Sequence, residues 1–187
     1  MTEPVRLWGA RFRSPPSEAL MNLSRAPATY FRLVPEDLQS SVAHARELMR
    51  AGILTEAETG EIIAALEAIG EDWRAGRIAP SAADEDVHTF LERMLKDRLG
   101  ALGGKLRAGR SRNDQAANDL KLHLRSAARR LAGQVLALQG ALIAQAEQHR
   151  DTLCPGFTHL QPAQPVTFAH QLLAHAQGFS RDIERFR

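Results

Sequence analysis

Residues 111–154, SRNDQAANDLKLHLRSAARRLAGQVLALQGALIAQAEQHRDTLC, decide the fold, because no proline interrupts them before Pro155. Ser111 and Asp114 have capping-box spacing, so the stretch predicts a helix of about 36 residues and roughly 55 Å starting there. Leu120, Leu124, Ala127, Leu131, Val135, Leu138 and Leu142 step along it by fours and threes, a seam suited to packing against other long helices. Gly133 and Gly140 permit close approach of a neighbour, each at about 1 kcal/mol relative to Ala in a helix interior. A rod this long cannot cover its own seam within 187 residues, so a bundle is expected, completed by missing sequence or by other subunits.

The rest of the chain is helical in pattern too. Leu and Ala number 54 against 21 for Val, Ile and Thr together, which favours helix over sheet. N-terminal to the rod, Leu38, Val42, Ala45 and Leu48 predict a helix over 35–52. The capping-box pair Thr55 and Glu58 opens a second, with Ile62, Ile63, Leu66, Ile69 and Trp73 on one face. Asp84, Glu85 and Asp86 sit where a helix start favours negative charge, and Val87, Phe90, Leu91, Met94 and Leu95 form the apolar face that follows. Residues 1–34, with Pro4, Pro15, Pro16 and Pro27, read as an irregular arm that needs something else to lie on. After Pro155, Pro162 and Pro165, a last helix is predicted by Phe168, Leu172, Ala176, Phe179, Ile183 and Phe186. It runs uncapped to Arg187, so a chain truncated relative to its natural domain is expected. The expected division is 1–110, arm and small helical domain, and 111–187, start of a long-helix bundle.

Composition narrows the function. With 44% hydrophobic and 25% charged residues the chain has the balance of a soluble globular protein. Net charge is only +2 despite a pI near 9.1, and no aromatics interleave with the basic residues of 103–114, so nucleic-acid binding is not indicated. No run approaches the roughly 18 apolar residues of a membrane span. One cysteine, Cys154, excludes an internal disulfide, and without an N-terminal signal segment the expected setting is cytoplasmic.

Three segments carry chemistry. GGKLRAGRSRND at 103–114 puts three glycines and four basic residues before the rod. Its backbone amides, Arg110, Arg112, Ser111 and Asn113 could hold a carboxylate or phosphate, although a solvated basic turn capped by Ser111 accounts for the same residues. PGFTHLQPAQP at 155–165 puts Thr158, His159 and Gln161 in a rigid loop between two helices. A histidine there can exchange protons near neutral pH, or simply be exposed. DEDVHT at 84–89 offers three acids and His88 towards a cationic group, or a well-capped helix start. Metal binding finds little support, since His170 and His175 are five apart, about 140° around a helix, and neither HExxH nor paired cysteines occur. A nucleophile elbow is likewise absent.

In combination, LWGARF at 7–12, DEDVHT, GGKLRAGRSRND and PGFTHLQPAQP resemble the argininosuccinate lyase family of the fumarase/aspartase superfamily, over essentially the whole chain. The resemblance implies an all-α homotetramer with a central bundle of long helices, active sites assembled from three subunits, and cleavage of argininosuccinate to arginine and fumarate without a cofactor. It implies contacts to substrate from Asn113 and Thr158, acid/base or charge-relay work by His159, and a carboxylate held with help from Arg112. Ser111 joins the substrate-binding set and Gln161 is its weaker member. Asp86 and His88 would support His159 or the substrate.

The sequence also departs from that family. Ala26 stands where a substrate-contacting serine is usual, Tyr30 where an aspartate is common, and Ala10 where Trp-Gly-Gly has its second glycine. A serine-bearing loop of Ser-Ser-x-Met-Pro-Gln-Lys-Lys-Asn-Pro type does not occur within residues 1–187 and is expected beyond Arg187. The chain is thus expected to be an N-terminal portion, inactive alone. Two alternatives stay open: a superfamily lyase with another substrate, and a non-catalytic helical assembly protein.

Overall fold

The structure, a computed structural model, describes residues 17–186. The LWGARF segment and Ala10 lie outside them, as does Arg187. Among the described residues are seven α-helices and a two-stranded hairpin: α1 (Glu18–Ser24), α2 (Val34–Arg50), α3 (Glu56–Arg74), α4 (Val87–Leu99), α5 (Ala101–Lys105), α6 (Arg112–Gln148), β1 (Leu153–Thr158), β2 (Gln161–Thr167) and α7 (Phe168–Arg185). None of these helices is long and apolar enough to cross a membrane. The chain divides into two compact units between His123 and Leu124, within α6.

In the first unit α2, α3 and α4 pack around Ala45, Ile62, Leu66, Ile69, Phe90 and Leu95, all buried. Phe90 meets Phe31 edge-on at 6.1 Å and Trp73 at 5.7 Å, geometries that suit the ring quadrupoles. The cap expected at Thr55 forms in full, its hydroxyl accepting from Glu58 N while Glu58 accepts from Thr55 N. Asp86 caps α4. On α2 the buried face is rotated from the one expected. Val34, Asp37, Ser41, Ala45 and Leu48 are its inward positions, and Leu38 and Val42 pack at its edge.

Two further stretches differ from expectation. The described part of the arm is ordered into α1 and a 3-10 helix over Ala28–Leu33. Ser17 Oγ accepts from Leu20 N to start α1, and the support the arm needed is the 82–85 loop: Ala26 N donates to Glu85 O at 2.8 Å and Arg25 to Ala82 O at 2.6 Å. Gly103 and Gly104 sit in α5 rather than in an open anion-holding loop. A Cβ on Gly103 would stand 2.8 Å from Leu95 O, so this glycine lets α5 lie against the backbone of α4. Gly109, at φ 69°, makes the turn into α6, an αL conformation glycine adopts freely.

The second unit holds most of α6, the hairpin and α7. α6 spans 37 residues, close to the length expected. The predicted rigid loop is instead an antiparallel hairpin, with Leu153 opposite Thr167, Pro155 opposite Pro165 and Thr158 opposite Gln161. Prolines signal a loop because they cannot donate to a ladder, but a two-stranded sheet has only edge strands, where a missing donor is tolerated. Thr167 caps α7 by accepting from His170 N. Near its other end Gln139 Nε2 donates to Ala176 O and Ser180 Oγ. α7 is described to Arg185, with Phe186 still in the helical region of backbone space and its N bonded to Ile183 O.

Candidate active site

The predicted site residues fall into two sets, one in each unit. In the first, Asp86 does three jobs at once. Its Oδ1 accepts from Thr89 N and Thr89 Oγ1, both at 2.8 Å, and its Oδ2 accepts from Arg112 Nη1. Arg112 Nη2 also donates to Thr89 Oγ1 at 2.9 Å. Burial pushes the Asp86 carboxyl up, but the two Thr89 bonds and the charges of Arg112 and His88 outweigh it and hold it below the usual carboxylate range. Arg112 is thereby fixed in place, with its Nε–H and outer N–H directions left to donate.

Ser111 and Asn113 lie exposed at the same helix start. The expected capping box forms in half: Asp114 Oδ1 accepts from Ser111 N at 2.8 Å, whereas Ser111 Oγ accepts from Asn113 N. The Asn113 side chain is at the surface, available to a polar ligand.

His88 is buried, on the face of α4 turned to α2 and α6. Its Nδ1 lies 2.5 Å from Asp37 Oδ2 and 3.8 Å from Asp119 Oδ2, while Nε2 faces Tyr30 Oη at 3.5 Å. Asp37 in turn accepts from Ser41 Oγ at 2.8 Å, and Arg110 donates to Ser41 and Ser40. Burial raises the Asp37 carboxyl, yet the His88 hydrogen bond and charge, with Ser41 and Arg110, bring it below its ordinary value. The Tyr30 hydroxyl is pushed up by burial and by the charges of Asp86, Asp119 and Asp37.

Neither Asp37 nor Asp119 was singled out by sequence. The available signal was position: Asp37 and Ser41 occupy two successive steps of an otherwise apolar stripe, 34–37–41–45–48, and Asp119 lies seven residues after Arg112, on the same helix face. Donor atoms of Asp37, His88 and Asp119 all lie within 4.8 Å of one another. The 2.5 Å Nδ1–Oδ2 contact pairs the imidazole with Asp37, and Asp119 stands beside them as a second acid.

Beside this network is a cavity of about 40 Å³ lined by Asp37, Ser41, His88, Arg110, Arg112 and Gln115 among others. It has room for a water or a single small group, and is far below the roughly 300 Å³ of a pocket that encloses a small-molecule ligand.

In the second unit Thr158, His159 and Gln161 come together at the hairpin tip. Thr158 and Gln161 are the last paired residues, and His159 and Leu160 form the two-residue turn, both exposed. Their φ angles are 52° and 61°. Two-residue hairpin turns with positive φ at both positions are ordinarily filled by Asn and Gly. For a histidine and a leucine this conformation costs of order 1 kcal/mol or more each, so the chain carries strain where it presents the imidazole.

The fold and these two clusters define a class. The family described as Lyase matches residues 10–187, and the chain belongs to it. Among curated relatives, argininosuccinate lyase 1 of Pseudomonas fluorescens is 67% identical over 96% of this chain and 38% of its own length. Argininosuccinate lyase 2 of Rhizobium meliloti is 63% identical over the whole chain and again 38% of its own length. The chain therefore spans a little over a third of these relatives. Among solved structures, an EDDS lyase variant with bound fumarate superposes with a TM-score of 0.70 at 28% identity, over 89% of this chain and 32% of that one. A fumarate lyase from Mesorhizobium gives 0.67 at 25% identity, over 90% and 39%.

Proposed function

We propose that this chain is the N-terminal portion of an argininosuccinate lyase, which splits argininosuccinate into arginine and fumarate as a step of arginine biosynthesis. The observation that carries it is the 67% identity to such an enzyme across 96% of the chain, with all the motif residues DEDVHT, RSRND and THLQ present in that span. The reaction is a β-elimination. A base removes a proton from the succinyl carbon next to a carboxylate, the electron pair becomes the new C=C bond, the C–N bond to the guanidino group breaks, and that nitrogen takes up a proton.

His159 does acid/base or relay work, presented by the strained turn. Thr158 and Gln161 flank it with a hydroxyl and an amide for hydrogen bonding to substrate. Asn113 and Ser111 meet the substrate from the start of α6, and Arg112, oriented by Asp86, helps neutralise a carboxylate. His88 and Asp86 support these groups. No cofactor is required by this chemistry. In the division proposed, 1–110 is arm and small domain, and 111–187 begins the bundle of a cytoplasmic homotetramer whose sites draw on several subunits. The small size of the cavity beside Asp37, His88 and Arg112, and the exposed leucines of α6, support a site and a core completed elsewhere.

The test is fumarate release from argininosuccinate by the full-length protein. We expect turnover in the wild type and loss of most of it in His159→Ala and in Asn113→Ala. Unchanged turnover in both variants removes these roles. A second reading keeps the scaffold and changes the substrate. It is favoured by Tyr30, whose phenol faces His88 Nε2 where the family resemblance leads one to expect an aspartate. Competing amino-acid–fumarate adducts assayed side by side decide between them, a clear preference for argininosuccinate rejecting the second.

A further inference from the structure

We propose that Asp119 works as a neutral acid behind the Asp37–His88 pair, a positioning residue that keeps the His88 imidazole donating to Asp37 with Nε2 towards Tyr30. Three helices bring the trio together, Asp37 from α2, His88 from α4 and Asp119 from α6, and each side chain is buried. An imidazole Nδ1 carries one N–H, and at 2.5 Å that donor belongs to Asp37. Asp119 Oδ2 is left 3.8 Å away, and both Asp119 oxygens are buried without a hydrogen-bond partner.

An ionised carboxylate in that position would be a desolvated charge beside another of the same sign, with no donor to stabilise it. As the acid it carries no charge. The groups facing it are Asp37 from α2, His88 from α4, Tyr30 from the 3-10 helix and Arg110 from the turn before α6. Arg110 is engaged with Ser40 and Ser41. Burial first, and Asp37 second, push Asp119 up to about 7, against the charges of His88 and Arg110. Asp37, held by Ser41 and His88, takes the negative charge of the pair. Were Asp119 to ionise, it would compete with Asp37 for the Nδ1 proton and turn Nε2 away from Tyr30.

The activity arm of the test rests on the lyase reading above, and the stability arm does not. Both use the full-length protein, wild type against Asp119→Asn, which keeps the shape and cannot ionise. In the wild type we expect kcat for argininosuccinate cleavage to fall as pH rises past Asp119's titration, with KM moving less than about twofold, and in D119N we expect that alkaline fall to vanish. A carboxyl raised in the folded state binds its proton more tightly there than in the unfolded chain. Stability from this group is therefore full below the unfolded value of about 3.9 and declines as pH rises through the folded one. The wild-type Tm should thus drop more between about pH 5 and pH 8 than that of D119N. An alkaline fall of kcat that persists in D119N, or equal Tm drops in both proteins, overturns the proposal. If the full-length wild type does not cleave argininosuccinate, the lyase reading fails by itself and the Tm comparison still decides the state of Asp119. Should D119N not fold, Asp37→Asn removes the like charge, and the decline in Tm should move to lower pH; no movement overturns the proposal.

Discussion

Arg112 and Asp86 are an ion pair that ties the first turn of α6 to the N-cap of α4, with side chains only 22% and 19% exposed. The two residues belong to separate motifs, 26 positions apart, and the same carboxylate caps α4 through Thr89. Losing it removes a cap, worth about 1 kcal/mol, and leaves a part-buried guanidinium without its anion.

We therefore expect Asp86→Ala to lower stability by about 2–3 kcal/mol at pH 7. The pH dependence follows from the lowered carboxyl. Its contribution is full above the unfolded value of about 3.9 and is lost as pH falls through the lower folded value. The Tm gap between wild type and Asp86→Asn should accordingly shrink when pH is taken from 7 to about 3. A gap that stays constant would mean that the ionised carboxylate is not what stabilises the junction.

At the hairpin tip, strain and chemistry can be separated by substitution. His159→Gly relieves a positive φ and removes the imidazole, while Asn at the same position tolerates the backbone and also lacks the acid/base group. In the full-length protein both variants are expected to fold with Tm at or above that of the wild type, and to reduce the proposed argininosuccinate turnover about 10²–10⁴-fold. Stable variants with full turnover would show that the turn is strained for some reason other than presenting His159.

How far the sequence discloses this structure depends on the range over which each signal acts. The Thr55–Glu58 cap and the Asp86 cap are interactions across three residues, so spacing alone finds them. The length of α6 is likewise set by where prolines do not occur. The hairpin at 153–167 is harder, because Pro155, Pro162 and Pro165 are loop signals until one knows that both strands are edges. α1 is a seven-residue helix with no buried residue, and its neighbourhood is steadied by Glu85 and Ala82, far along the chain. For the site, DEDVHT and RSRND marked Asp86, His88 and Arg112 as residues, but not that Asp86 and Arg112 would pair. Asp37 and Asp119 acquire their chemistry only through tertiary packing. Their burial next to His88 brings carboxyl groups from α2 and α6 to one imidazole, and no local pattern encodes that meeting.

Two glycines give opposite expectations from the same substitution. A Cβ on Gly103 would meet Leu95 O at 2.8 Å, Leu95 C at 2.9 Å and Lys96 N at 3.0 Å, all backbone atoms of α4 that cannot swing aside. Gly103→Ala should therefore cost about 1–3 kcal/mol. On α3, Gly60 is exposed and a Cβ there would meet nothing within 4 Å, so Gly60→Ala should stabilise by up to about 1 kcal/mol through helix propensity. Thermal midpoints of the two variants check the contrast. If both lose stability alike, the close approach of α5 to α4 is not what makes Gly103 necessary.

The apolar seam of α6 gives the last expectation. Leu131 and Leu138 are each 48% exposed, and Leu136 and Ile143 on the same helix are also open to solvent. Fully burying a leucine is worth about 1.5–3 kcal/mol, and in a symmetric assembly each substitution is repeated in every subunit. Asp at positions 131 and 138 alters helix propensity by less than about 1 kcal/mol each, so α6 itself should persist. In the full-length protein, the double variant Leu131→Asp/Leu138→Asp is expected to sediment as smaller species where the wild type sediments as the proposed tetramer, and to retain its helical circular dichroism. A double variant that keeps the wild-type sedimentation coefficient would place the subunit interface on another face.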